Sequence, residues 1–161
     1  MVQKLRLSNK MTRHLYKLNV LASDSKMNIK HAAGLIKNGK MIDFCTNSHR
    51  TKFKLNNKQY IQCSLHAEIG VIKKLIYNLN KNNKLKCRKL NKYKLIVVRK
   101  NFSNSLPCKH CSNIIKQSGI SKIFYTNGSP NKCILTKTKT TNLISKHQSR
   151  AVLVSLKHLT N

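Results

Sequence analysis

Along this chain the apolar residues change period several times, and the order of those changes is what most limits the fold. Met11 to Ala22 carries apolar side chains at Met11, Leu15, Leu18 and Leu21–Ala22, the spacing of one helical face. Ala32 to Ile36 and Met41 to Cys45 read as two strands joined through Asn38-Gly39, the strongest short hairpin signal. Leu65 to Leu79 returns to a helical face, with apolar residues at 65, 69, 72, 75, 76 and 79 and Ser64 placed to cap it. Tyr93 to Val98 is a β-rich strand. Pro107 to Gln117 fits a short helix, with proline near its first turn and Gly119 beyond its end. Ile120 to Thr126 and Lys132 to Thr138 follow as strands. Their connection, Asn127 to Asn131, is five residues long, whereas a parallel crossover needs about a dozen, so this pair is expected to be antiparallel. The sum is an α/β chain with a mixed sheet of about five strands and helices packed on it. Ala151 to Leu159 fits helix or strand equally.

No internal repeat and no Pro/Gly/Ser linker interrupts the pattern, and 161 residues suit one domain spanning 1–161. A content of 40% hydrophobic residues allows a real core despite a net charge of +30. That charge comes from 33 basic residues against 3 acidic ones. The 27 lysines stand beside 19 asparagines, and both residues have A/T-rich codons, so genome bias can account for the excess without a partner. The functional reading is contact with phosphates, which lysine binds as a mobile point charge. Reading of base edges is disfavoured, because arginine is scarce and tryptophan absent. No run approaches the roughly 20 apolar residues that span a bilayer, and no membrane partner is expected. Met1 to Lys10 lacks the continuous apolar stretch of a secretory signal. The expected location is therefore inside the cell, in cytoplasm or nucleus. The six cysteines include one closely spaced pair, which in a reducing compartment points to metal rather than to disulfides.

Two short segments carry the chemistry. His66-Ala67-Glu68 opens a helix and contains the chain's only glutamate. Alone, Glu68 reads as a solvated carboxylate favoured near a helix N-terminus by the dipole. Downstream, Pro107-Cys108-Lys109-His110-Cys111 opens another helix, where thiols at i and i+3 share one face and can reach one ion. A helix N-terminus lowers a thiol's pKa and favours the thiolate that zinc binds. A lone C-x-x-C can also be a redox pair, half of a structural zinc site or two core cysteines. Taken with His66, however, Cys108 and Cys111 make three ligands and leave one position open, which is the catalytic zinc pattern. A carboxylate two residues beyond His66 is then placed to shuttle a proton.

His-Ala-Glu followed by Pro-Cys-x-x-Cys resembles the zinc-dependent cytidine/deoxycytidylate deaminase superfamily, whose signature is H-x-E…P-C-x-x-C. The likeness runs from the hairpin near Ala32 to the strand ending near Thr126, within a catalytic core of about 32–138. It implies a three-layer α/β/α fold, zinc held by His66, Cys108 and Cys111, and proton transfer by Glu68. It also implies a base carbonyl touching the Ala67 amide and a sugar or base contact from Asn47. The implied reaction is hydrolytic removal of a nucleobase amine, cytosine-type first, as ammonia. The substrate would be a nucleoside, a nucleotide or a base in RNA or DNA, and self-association is common in the superfamily. Histidine as first ligand resembles the deoxycytidylate, tRNA and nucleic-acid-editing branches. The short connection before the last strand resembles the antiparallel nucleoside type, and Leu106 stands where many tRNA adenosine deaminases carry glutamate. The competing class is a non-catalytic, zinc-stabilised, basic module that binds nucleic acid on the same scaffold.

Other residues have plainer expectations. His110 should turn away from the metal as an exposed polar residue. Cys45 and Cys63 read as small core residues. His31, His49 and His147 read as surface histidines. Asn80 to Lys92 reads as an exposed loop, and Lys84, Lys86, Arg88 and Lys89 within it as a solvated face.

Overall fold

The structure is a computed structural model that describes residues 3–4, 7–49, 52–55, 58–61, 64–81, 90–128 and 133–147. Its elements are β1 (Gln3–Lys4), α1 (Asn9–Ser23), β2 (His31–Lys37), β3 (Lys40–Thr46), β4 (Lys52–Leu55), β5 (Lys58–Ile61), α2 (Ala67–Lys81), β6 (Lys94–Arg99), α3 (Lys109–Gln117), β7 (Lys122–Thr126) and β8 (Leu135–Lys139). The main sheet has the order β1-β8-β7-β6-β2-β3. Among the described strands only β6 and β7 run parallel, joined by a crossover through α3, and β7–β8 is antiparallel as the five-residue connection requires. Among the described residues β4 and β5 form a separate two-stranded hairpin, which was not anticipated, nor was the short β1 against β8.

The alternation of side chains along the strands creates two cores, one on each face. On one side Leu15, Leu18 and Ala22 of α1 pack on Ala32, Ile36, Ile96, Val98, Phe124 and Leu135. On the other, α2 and α3 pack through residues such as Ile69, Ile72, Ile114 and Ile115 on Ala33, Leu35, Leu95, Val97 and Ile123. This is the three-layer α/β/α arrangement. Strand β2, next to the edge strand β3, is buried on both faces over five consecutive residues.

Local chemistry sets the element ends. Ser8 caps α1, its hydroxyl accepting from the Met11 amide at 3.3 Å. The β2–β3 turn places Asn38 at φ 49° and Gly39 at φ 72°, the pair of left-handed residues that a two-residue hairpin of this twist needs. Helix α2 begins at Ala67 rather than Leu65, and Ser64 does not act as its cap. The reason is a bridge between Leu65 and Ser48, two backbone bonds of 2.8 and 3.0 Å, which holds Leu65 extended. Leu65 still enters the core, which is why it falls in phase with the helical period. Likewise α3 begins at Lys109, after an extended Cys108 at its N-cap. Residues Ala151 to Leu159, Cys63, and the basic side chains of 84–89 lie outside the described residues.

Helix α2 rests unusually close to β3. A Cβ added at Gly70 would lie 2.5 Å from Cys45 Sγ and 3.3 Å from its Cβ, both inside normal contact. Gly70→Ala is therefore expected to lower stability by about 1–3 kcal/mol, the usual range for overpacking. A urea titration measures this, and the loss should shrink when Cys45→Ala removes the obstructing sulfur.

Candidate active site

Two helix starts meet at one end of the sheet. His66 immediately precedes α2, and its carbonyl accepts the first helical bond from the Gly70 amide at 3.0 Å. Cys108 immediately precedes α3, and its carbonyl accepts from the Ser112 amide at 2.9 Å. Both helices thus direct unpaired amides and the positive end of their dipoles to the same place, where anionic groups are favoured.

His66 Nδ1 lies 3.2 Å from Cys111 Sγ and 3.7 Å from Cys108 Sγ. All three donor atoms lie within 4.8 Å of one another. A tetrahedral zinc with bonds of ~2.0 Å to nitrogen and ~2.3 Å to sulfur separates those atoms by about 3.5 Å, a value the two observed distances bracket. The residues present therefore fit zinc, and among the described residues this is the one cluster of its kind. The charge state suits a cation as well. A hydrogen bond from Cys111, aided by one from His66 against the cost of burial, draws the Cys108 thiol down to about 3. Burial pushes the Cys111 thiol up. For His66, burial works against protonation, but the bond to Cys108 and the charges of Glu68 and Cys108 outweigh it.

Glu68 is 6% exposed, and burial raises its carboxyl above the ordinary range while the charge of His66 opposes the rise. It lines a cavity of about 470 Å³ together with His66, Cys108, Asn47, Ser64 and Leu106. Asn47 closes one wall by a bracket of its own. Its Oδ1 accepts from Ser25 Oγ at 2.7 Å and from the His31 amide at 2.9 Å, and its Nδ2 donates to the Ile29 carbonyl. That bracket holds Met27, Asn28 and Ile29 along the cavity. Ala67 is fully buried at the first turn of α2.

His49 and His147 are exposed, as expected of surface histidines, whereas His31 is half-buried, and all three line the cavity. His31 stands at the start of β2 and is drawn there by the Asn47 bracket. His147 is brought in when its carbonyl accepts from the Lys109 amide at 2.8 Å, tying the segment after β8 to the start of α3. No spacing in the sequence announces either contact. His110 lies off the metal cluster as expected but is half-buried instead of exposed, because the short α3 packs it inward. Cys45 packs against the core as anticipated.

The residues matched by a family described as the cytidine and deoxycytidylate deaminase zinc-binding region are 6–127. No curated protein matches the sequence. Among solved structures, the cytidine deaminase from Burkholderia pseudomallei has a TM-score of 0.57 at 14% identity, covering 88% of this chain and 100% of that one. This is a likeness of fold. The dCMP deaminase from the cyanophage S-TIM5, in complex with dCMP and dUMP, gives a TM-score of 0.49 at 18% identity, over 73% of this chain and 82% of that one.

Two predictions follow from the geometry. Cys111→Ala removes a donor atom and is expected to reduce bound zinc severalfold or more, as read by elemental analysis of the purified protein, whereas Ser64→Ala, which lines the cavity without joining the cluster, should keep it. The second concerns pH. Burial, then the charges of Arg99 and His66, pulls His31 from its ordinary 6.5 to about 4. The fold therefore prefers neutral His31, while the unfolded chain protonates it below about 6.5. The stability this contributes is full above that pH and is lost as pH falls from there toward 4. Urea midpoints should fall across that window, and less steeply in His31→Gln.

Proposed function

We propose that this chain, which belongs to the cytidine and deoxycytidylate deaminase zinc-binding family, hydrolyses the exocyclic amine of a cytosine-type base. The products are the oxo base and ammonia. The observation that carries the reading is a three-donor cluster of His66, Cys108 and Cys111 beside a buried carboxyl in one cavity of a volume ordinary for small-molecule sites. A zinc ion held by His66 Nδ1 and the two sulfurs supplies a Lewis acid that activates water at neutral pH.

The remaining work belongs to side chains of this protein. Glu68 takes a proton from the attacking water and delivers it to the ring nitrogen next to the amine-bearing carbon. A second proton passes through the same carboxyl to the departing amine, so the C–N bond breaks with ammonia as leaving group and a C=O bond replaces it. A carboxyl whose affinity for protons is raised by burial suits this exchange near neutral pH. The Ala67 amide, one of the donors that the first turn of α2 leaves without a helical partner, holds the base carbonyl. Asn47 contacts the sugar or the base from the opposite wall. The substrate is a nucleoside, a nucleotide or a base within a polynucleotide.

Residues 1–161 form one deaminase domain with its catalytic core at about 32–138. We place it in an intracellular compartment. Among the described residues no disulfide joins the cysteines, and no described helix is long and apolar enough to cross a membrane.

Glu68→Gln tests the reading. It should keep its zinc and lose ammonia release by at least about 10²-fold, the lower bound for a positioned acid–base group. An assay over cytidine, deoxycytidylate, guanine and tRNA with the zinc-loaded wild type sets the reference. Ammonia from none of these would leave a non-catalytic, zinc-stabilised nucleic-acid-binding module as the better description.

A further inference from the structure

We infer that Lys94, Lys122 and Lys139 form a docking row for the phosphate backbone of single-stranded nucleic acid, at the end of the sheet farthest from the cavity. Lys94 is directly beside Lys122 in the β6–β7 register, and Lys122 is directly beside Lys139 in the β7–β8 register. Registered neighbours share one face of a sheet and stand about 5 Å apart. All three are exposed. They share their face with Ile96, Val98, Phe124 and Leu135, two and four residues along the same strands. Lys137 adds a further cation on that face, registered beside Phe124.

Like charges placed directly opposite one another cost a sheet stability. Nothing within the described molecule offsets that cost here. Of the three acidic side chains, Glu68 is buried in the cavity, Asp43 lies 3.6 Å from Lys74 Nζ, and Asp24 stands at the C-terminal cap of α1. The row therefore carries fixed, closely spaced positive charge that mobile counterions or a polyanion must neutralise. A polynucleotide does so with a gain from the counterions it sheds.

Two other lysines are engaged by aromatic rings. Lys17 Nζ lies over the Phe44 ring at 5.3 Å, and Lys37 Nζ over the Tyr93 ring at 5.1 Å. A membrane surface is the weaker fit, because peripheral binding couples cations to an apolar wedge. The large exposed apolar side chains among the described residues, such as Tyr16, Val20 and Tyr77, are all off the three strands of the row. Those strands also offer no exposed aromatic ring on which a base could stack, so the contact is to the backbone and indifferent to sequence. Lys94 and Arg99, the two ends of β6, lie five residues apart, about 17 Å, with Arg99 at the cavity end. The row is thus a separate surface and stands whether or not the cavity turns over a base.

The test compares two variants of equal charge in the full chain. One is Lys94→Gln/Lys122→Gln/Lys139→Gln, and the other is Lys10→Gln/Arg13→Gln/Lys17→Gln on α1. The probe is a fluorescent single-stranded RNA of about 20 nucleotides, read by anisotropy across about 50 to 200 mM salt. The row variant should bind at least about 10-fold more weakly. Its dependence of log affinity on log salt should flatten by about 2, at roughly 0.7 for each lost phosphate contact to a single strand. The α1 variant should weaken less than about 3-fold. Equal losses in the two variants would mean that bulk charge does the binding, and would overturn the proposal. So would displacement of the RNA by anionic phospholipid vesicles acting through the same three lysines. Lys122→Gln alone, expected to show about a third of the change in salt dependence, guards against a folding defect in the triple variant.

Discussion

The site depends on one close approach, that of α2 against the edge of the sheet. His66, Ala67 and Glu68 can face the start of α3 only if the first turn of α2 presses against β3, and Gly70 makes that contact sterically open beside Cys45. From there the geometry is largely forced. The parallel crossover from β6 to β7 must place α3 on the same face as α2, and it starts α3 at the same end of the sheet. The thiols at i and i+3 of that helix start then meet the imidazole from the other. Hydrogen bonds from Cys111 and His66 favour the Cys108 thiolate, and burial raises the proton affinity of the neighbouring Glu68 carboxyl, so opposite preferences are set within one small cavity.

The scarcity of acid shapes the rest of the molecule. With so few carboxylates, ion pairs can contribute little to stability, and the ion pair described, Lys74–Asp43, joins an exposed lysine to a half-buried aspartate. Stability must come from burial on both faces of the sheet, which is where β2, β6 and β7 concentrate their β-branched and aliphatic residues. Polar satisfaction at the sheet's cavity end is local and uncharged. The Thr126 and Ser105 hydroxyls lie 2.9 Å apart, and Ser105 Oγ also donates to the Val97 carbonyl at 2.8 Å. These bonds fix the segment that leads into Cys108 without using any charge.

Periodicity and turn chemistry made most of this architecture legible in advance. The Asn38-Gly39 hairpin, the helical faces of α1 and α2, and the antiparallel return of β8 all follow from local rules that tertiary contacts did not override. The metal cluster was legible because its donors carry a strict spacing. The cavity walls were not. His31 and His147 are tied there by backbone bonds, Asn47 to His31 and Lys109 to His147, and such bonds leave no mark on residue type. Leu65 misled for the opposite reason: it satisfies the helical period through burial while its backbone is committed to Ser48. The start at Ala67 was set by that competition, which only the folded chain reveals.

Asn47 has one more implication. Its oxygen already faces two donors, the Ser25 hydroxyl and the His31 amide, and one of its two amide hydrogens goes to Ile29. A carboxamide has two lone pairs and two hydrogens, so a single hydrogen is left to offer. If Asn47 touches the substrate as proposed, that hydrogen is what it has to give, and it would meet a lone pair of the guest from a residue that is mostly occupied with holding up a loop.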